Sequence, residues 1–189
     1  MAFYCMENKD IFHNCDVIEV GGGKSCLAGM CVAINCKVSS ILLSDGNKKC
    51  VENVEDIICR NWPPDRSCSN KVSAAVIRWD NKATYAEHSE KFDILLAADC
   101  LFFKDVQLEL IDAILYMLKP DGKALLFAPH RGDTLSKFIA LCQGKFSNIS
   151  LSETEAYSDI IEHCHKVASL HNKLYNPNLH KPVLLLVQK

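Results

Sequence analysis

The chain has 189 residues, 49% apolar and 23% charged, close to globular averages, so disorder and collagen-like fibre are excluded and one domain is expected. A domain of this size withdraws roughly 70% of its unfolded surface from water. With 21 basic and 23 acidic residues the net charge is −2, and no overall positive field exists to hold nucleic acid through its phosphates.

Val17 to Val20 reads as a strand closed by Gly21-Gly22-Gly23, and Ser25 to Asn35 as a helix with Leu27, Met30, Cys31 and Ile34 on one face. Ser40 to Leu43 is a second strand, ending at Ser44-Asp45-Gly46-Asn47. A helix over Asn47 to Asn61 carries the stripe Val51, Val54, Ile57, Ile58 and stops at Trp62-Pro63-Pro64. Strands follow at Val72 to Trp79 and Phe92 to Ala98, then a helix from Val106 to Leu118 ended by Pro120-Asp121-Gly122. Ala124 to Ala128 is the fifth strand, and Asp133 is placed to cap a helix from Thr134 to Gln143. Phe146 to Leu151 and Val183 to Val187 are late strands, with a helix suggested around Ile160 to Ala168. Near-continuous apolar strands alternating with helices describe an α/β sheet covered on both faces.

The apolar runs are too short to span a bilayer, and Met1 to Asp16 carries no secretory pattern. The expectation is a soluble, monomeric, single-domain protein of the cytoplasm or nucleus, with neither membrane nor nucleic acid as a partner. Eleven cysteines would suggest disulfides in a secreted chain, but no Cys-x-x-Cys pair occurs. On a helix, Cys26, Cys31 and Cys36 would each turn about 140° from the last, too far apart to share one metal. His163-Cys164-His165 lacks a partner cluster, so free, mostly buried thiols and no metal are expected.

Open α/β sheets bind ligands beyond the carboxyl ends of their strands, and the first such loop is Glu19-Val20-Gly21-Gly22-Gly23. Glycines there let backbone amides approach a ligand at the following helix. A phosphate-binding P-loop ending in Gly23-Lys24-Ser25 would need glycine where Ile18 stands, and a dinucleotide fingerprint would need it where Cys26 stands. An S-adenosylmethionine loop, acidic-x-Gly-x-Gly, fits without a gap; a plain turn is the alternative.

Asp45 follows at the spacing of an acid that meets a nucleoside ribose, whose two hydroxyls a carboxylate can accept. Asp45-Gly46-Asn47 also reads simply as a turn and helix cap. Trp79, between Arg78 and Asp80, suits either a purine face or the core. Asp99, ending an apolar strand and followed by Cys100-Leu101-Phe102, falls beside the pocket of the glycine loop, or else is only a strand end with Phe102 in the core.

These segments, with Cys26-Leu27-Ala28-Gly29, Arg78-Trp79-Asp80-Asn81 and Phe127-Ala128-Pro129-His130-Arg131-Gly132, occur in an order that resembles one family. It is the seven-β-strand, S-adenosylmethionine-dependent protein-lysine methyltransferases, with their Asp-x-x-Phe/Tyr motif after strand four, and among them those that act on calmodulin. The resemblance implies a class I methyltransferase Rossmann-like fold: a mostly parallel seven-stranded sheet with an antiparallel C-terminal strand and helices on both faces. It further implies S-adenosylmethionine as cofactor, with Gly21, Gly22 and Gly23 on its methionine part, Asp45 on the ribose, and Trp79 and Ala98 on the adenine side. Glu19, Gly46 and Asn47 complete that cofactor site, and Asp99 and Phe102 form the lysine pocket.

The implied activity is methyl transfer to a lysine ε-amine of a protein, calmodulin being the expected substrate and partner. Such transfer needs a neutral amine in line with the sulfonium methyl, so positioning and desolvation dominate and no nucleophilic side chain is required. Arg60 to Lys82 and Lys119 to Lys145 each hold five basic and two acidic residues, which would suit an acidic substrate. Family members carry a substantial segment upstream of strand one, with a Trp-Pro motif, whereas sixteen residues precede that strand here. Met1 to Met6 resembles the end of the helix that leads into it. A catalytically weak or inactive module that binds cofactor or partner without turnover is therefore the alternative, and an NAD oxidoreductase, disfavoured by Cys26, the third reading.

Overall fold

A computed structural model describes residues 1–62, 71–152 and 175–189, together with 163, 166–168 and 170. In chain order these give α1 (Ala2–Glu7), β1 (Asp16–Val20), α2 (Leu27–Asn35), β2 (Ser40–Asp45), α3 (Lys48–Asn61), β3 (Val72–Val76) and β4 (Phe92–Ala98). They continue as α4 (Gln107–Met117), β5 (Leu118–Pro129), α5 (Thr134–Cys142), β6 (Asn148–Ser152), a helical turn at Pro177–His180, and β7 (Pro182–Gln188). The seven strands form one sheet in the order β3-β2-β1-β4-β5-β7-β6. β1 to β5 pair in parallel, and β7 runs antiparallel to both β5 and β6.

Because successive strand side chains point to opposite faces, the sheet supplies two cores. Ile18, Leu42, Leu95, Leu126 and Leu185 pack on one face with Leu110, Ile114 and Phe138 of α4 and α5. Val17, Leu43, Leu96, Phe127 and Leu184 pack on the other with Cys5, Met30, Val32 and Val54 of α1, α2 and α3. Both helical layers exclude water from the strands, which accounts for the near-continuous apolar runs.

The boundaries differ from the sequence expectation where local chemistry overrides periodicity. α2 begins at Leu27 rather than Ser25, because Cys26 holds a left-handed φ of +42° as its N-cap. α3 starts after Asn47, whose side-chain oxygen accepts the Lys49 N–H over 3.0 Å. β3 ends at Val76, not Trp79: past Ile77 the chain turns, and the Arg78 N–H donates to Thr84 Oγ1 over 2.9 Å. β5 begins at Leu118; Phe92 pairs with Leu118 and Ile94 with Lys123, so Pro120-Asp121-Gly122 lies within an irregularity of the strand instead of before it. Asp133 precedes α5 without a capping hydrogen bond, its carboxylate being held by Lys104 and Lys137. β6 begins at Asn148, two residues later than expected. Pro63, Pro64 and most of the expected helix around Ile160 to Ala168 lie outside the described residues.

Nine of the eleven cysteines are described, all free: four are buried, four half-buried, and Cys59 is exposed, so fewer are buried than expected. Among the described residues no group of His, Cys, Asp and Glu could hold a metal ion, and no helix is long and apolar enough to cross a membrane.

Candidate functional site

Strand order reverses at β1, whose neighbours β2 and β4 leave in opposite directions along the sheet. The loops that follow β1, β2, β3 and β4 surround a cleft at their carboxyl ends, the place where such sheets hold ligands. Its volume is about 880 Å³, within the range of small-molecule sites, roughly 300–1,000 Å³.

The glycine loop forms its floor. Gly21 holds φ +62°, and a Cβ on it would lie 2.8 Å from Cys100 Sγ and 3.0 Å from Trp79 Cζ2. Glycine is therefore required twice over at this position, by conformation and by space. The Gly22 N–H donates to Ser44 O over 3.0 Å, fastening the loop to the end of β2. Asp45 completes the attachment: Oδ2 accepts the Gly23 N–H and Oδ1 the Asn47 N–H, each over 2.8 Å. Each carboxylate oxygen keeps a second lone pair, which suits a pair of ribose hydroxyls.

Glu19 lies behind this loop. It is 2% exposed, and Oε2 accepts the Gly29 N–H over 2.7 Å. Burial pushes its carboxyl up to about 7, against the pull of the amides of Gly29 and Ala28. A Cβ on Gly29 would stand 2.3 Å from Leu43 Cδ2 and 2.7 Å from Glu19 Oε2, so the glycine lets α2 press onto the sheet. Glu19 thus braces the helix that carries the loop.

Trp79 is half-buried, packs against the core and lines the cleft, and its buried Nε1 has no hydrogen-bond partner among the described residues. One side chain thus both packs on the core and borders the cleft. Cys100, another lining residue, is buried, and burial, reinforced by the neighbouring carboxylates, pushes its thiol up to about 12. It is no nucleophile.

Asp99 follows β4 at a left-handed φ of +56°, its N–H donating to Phe127 O over 2.7 Å. Its carboxylate accepts from Arg131 Nη2 over 2.9 Å. Phe102, 43% exposed, is not in the core; its ring lies 3.9 Å from that of Phe103 and 5.4 Å from the Arg131 guanidinium carbon. An exposed aromatic face beside a carboxylate can hold an ammonium.

Of the residues singled out in the sequence, Gly21, Asp45, Gly46, Asn47, Trp79, Asp99 and Phe102 line the cleft together. Gly22 and Gly23 shape the loop, while Glu19 and Ala98 are not among the lining residues. The lining residues Lys48, Ile77, Arg78, Asp80, Cys100, Phe103 and Val106 were not singled out, although most adjoin a residue that was. Arg131, on the loop after β5, had a weaker signal: it stands just past a strand end on the ligand side.

Of the ten basic residues in the two stretches, five are in ion pairs among the described residues: Arg131, already met at Asp99, and four more. Lys119 bridges Asp16 and Asp93 at the far end of the sheet, Arg78 pairs with Asp80, Lys137 with Asp133, and Lys145 with Asp112. Lys82 lies over the Tyr116 ring.

A profile described as lysine methyltransferase matches residues 2–145. The chain belongs to the lysine methyltransferase family. It is 35% identical over 141 residues to the calmodulin-lysine N-methyltransferase of Arabidopsis thaliana, a match covering 74% of this chain and 45% of that one. The chain thus spans less than half the length of this relative. Among solved structures, a predicted O-methyltransferase of Agrobacterium tumefaciens superposes with a TM-score of 0.68 at 14% identity, over 100% of this chain and 81% of that one. A SAM-dependent methyltransferase of Aquifex aeolicus superposes at 0.67 and 7% identity, over 99% and 88%. The fold of this lysine methyltransferase family member is therefore that of class I methyltransferases, whose cofactor is S-adenosylmethionine.

Proposed function

We propose that the chain transfers a methyl group from S-adenosylmethionine to a lysine ε-amine of a protein, with calmodulin as the substrate, acting as a monomer in the cytoplasm or nucleus. One observation carries the reading: Asp99 and the exposed Phe102 line the same cleft as Gly21, Asp45 and Trp79. The cofactor, when bound, supplies an electrophilic methyl on a sulfonium. In this reading Asp45 takes the ribose and Trp79 a flat ring, while the turn at Gly21 keeps side-chain bulk away from the rest. Asp99 orients the acceptor nitrogen, and Phe102 shields it from water and favours its cationic, methylated forms. The amine reacts neutral, so these side chains align it, and no protein group needs to become nucleophilic. Support for calmodulin comes from the Arabidopsis relative.

The test is calorimetric titration with S-adenosylhomocysteine followed by a methylation assay on calmodulin with the same sample. Binding with turnover is the expected result. Binding without turnover refutes calmodulin as the substrate and favours a cofactor-binding module; no binding by the folded chain removes the cofactor site as drawn.

A further inference from the structure

The loop after β5 meets the loop after β4 at Asp99, one of the residues that line the cleft. Asp99 and Arg131 both hold left-handed backbone, φ +56° and +41°, a conformation that non-glycine residues seldom adopt. Their side chains join through Arg131 Nη2 and Asp99 Oδ2 at 2.9 Å, and the same guanidinium lies 5.4 Å from the Phe102 ring centroid. The carboxylate and the aromatic face that suit an acceptor lysine are thus both already in contact with a cation of the chain itself.

The surrounding bonds hold this arrangement in place. The Arg131 N–H donates to Asn178 O over 2.8 Å. Gln107, 4% exposed, donates from Nε2 to Leu101 O over 2.7 Å and to Thr134 O over 3.2 Å, which ties the loop after β4 to the first residue of α5. The neighbouring cations Lys104 and Lys137 are turned to Asp133.

We propose that Arg131 is a specificity-determining residue of the acceptor subsite: its guanidinium holds the place of a lysine ε-ammonium between Asp99 and Phe102, and a substrate lysine enters by displacing it. This rests on the lysine-methyltransferase reading for the identity of the incoming group. Displacement is feasible because the pair is open to solvent, with 32% of the Arg131 and 49% of the Asp99 side chain exposed, and such pairs are individually weak. A compact ammonium with three donors competes well for a carboxylate that the guanidinium contacts through one nitrogen. Adding the weak ion pair to the exposed cation–π contact, the internal competitor lowers affinity for an incoming ammonium by about three- to tenfold.

The experiment titrates the S-adenosylhomocysteine complexes of the parent and of Arg131→Gln with butylammonium chloride, against sodium chloride at equal ionic strength. Binding is followed by NMR, including the Arg131 Nε–H resonance of the parent. Arg131→Gln is expected to bind butylammonium about three- to tenfold more tightly, and the parent's Arg131 resonance to shift along the same saturation curve as ligand binding. The KM for calmodulin falls in parallel, and Asp99→Asn abolishes butylammonium binding. Equal or weaker binding by Arg131→Gln, or a parent resonance that stays fixed while butylammonium binds, overturns the proposal alone. Absence of butylammonium binding to both proteins removes the lysine reading and the proposal together. Should the variant fail to fold, the parent's own resonance still decides.

Discussion

Glu19→Gln isolates the electrostatic cost of bracing the glycine loop from within the core. The carboxylate is 2% exposed and burial raises its pKa from 4.5 to about 7. At about 1.4 kcal/mol for each tenfold, that gap amounts to about 3 kcal/mol. The folded state holds the extra proton, so the penalty is absent below pH 4.5, grows as pH rises to 7, and is fully present above it. Glutamine keeps an oxygen for the Gly29 N–H but has no charge to desolvate. Urea unfolding of both proteins from pH 4.5 to 8.5 should therefore show the parent losing about 3 kcal/mol relative to the variant across that interval. The variant starts level or slightly weaker at acid pH, where a neutral parent carboxyl bonds as well. Parallel stability profiles would refute the reasoning, because they would mean that Glu19 ionises as easily folded as unfolded.

Asp45→Ala removes the acceptor of the Gly23 and Asn47 amides and should weaken S-adenosylhomocysteine binding about tenfold or more in calorimetry. Asp99→Ala should instead cut methylation while leaving most of that affinity, and equal turnover by both variants and the parent would contradict the site. Lys119→Met leaves Asp16 and Asp93 facing each other and should cost about 1 kcal/mol at neutral pH, discounted for the pair's exposure to solvent. Burial opposes ionisation of Asp16, but its hydrogen bonds with Lys119 and Ser40 hold its pKa below 3.8, so the bridge's contribution fades only in acid below that value. Brief iodoacetamide treatment at pH 8 should label exposed Cys59 and spare Cys100, as mass spectrometry of peptides would show.

The parallel sheet was legible because Val17, Ile41, Ile94 and Leu125 belong to short apolar runs set off by turns, with both faces of each run buried. The cleft was legible where chemistry is local: Gly21 needs a left-handed turn beside Trp79, and Asp45 must stand at a strand end to reach the loop amides. What escaped is what depends on distant partners. Trp79 reads as strand because Val76, Ile77 and Trp79 are apolar and bulky, yet Thr84 captures the Arg78 amide and turns the chain. Asp133 looks like a helix cap until Lys104, some thirty positions earlier, takes its carboxylate. That Lys119 and Lys145 are ion-paired could not be read from their own stretch, because their partners Asp16, Asp93 and Asp112 lie elsewhere in the chain. Arg131 meets Asp99 only because β5 lies beside β4 and brings their following loops together.

The sheet order has a consequence for how the molecule comes apart. Among the described residues β6 bonds to the sheet only through β7, which in turn lies between it and β5. Its exposed pattern gives it little apolar burial of its own. Every fluctuation that frees β7 must therefore release β6 with it, while β6 can leave alone. Opening is thus ordered from this edge inward, in nested rather than independent steps. The cleft lies on the far side of that hierarchy, between β2 and β4, so the ligand end of the sheet stays assembled while the β6 edge breathes.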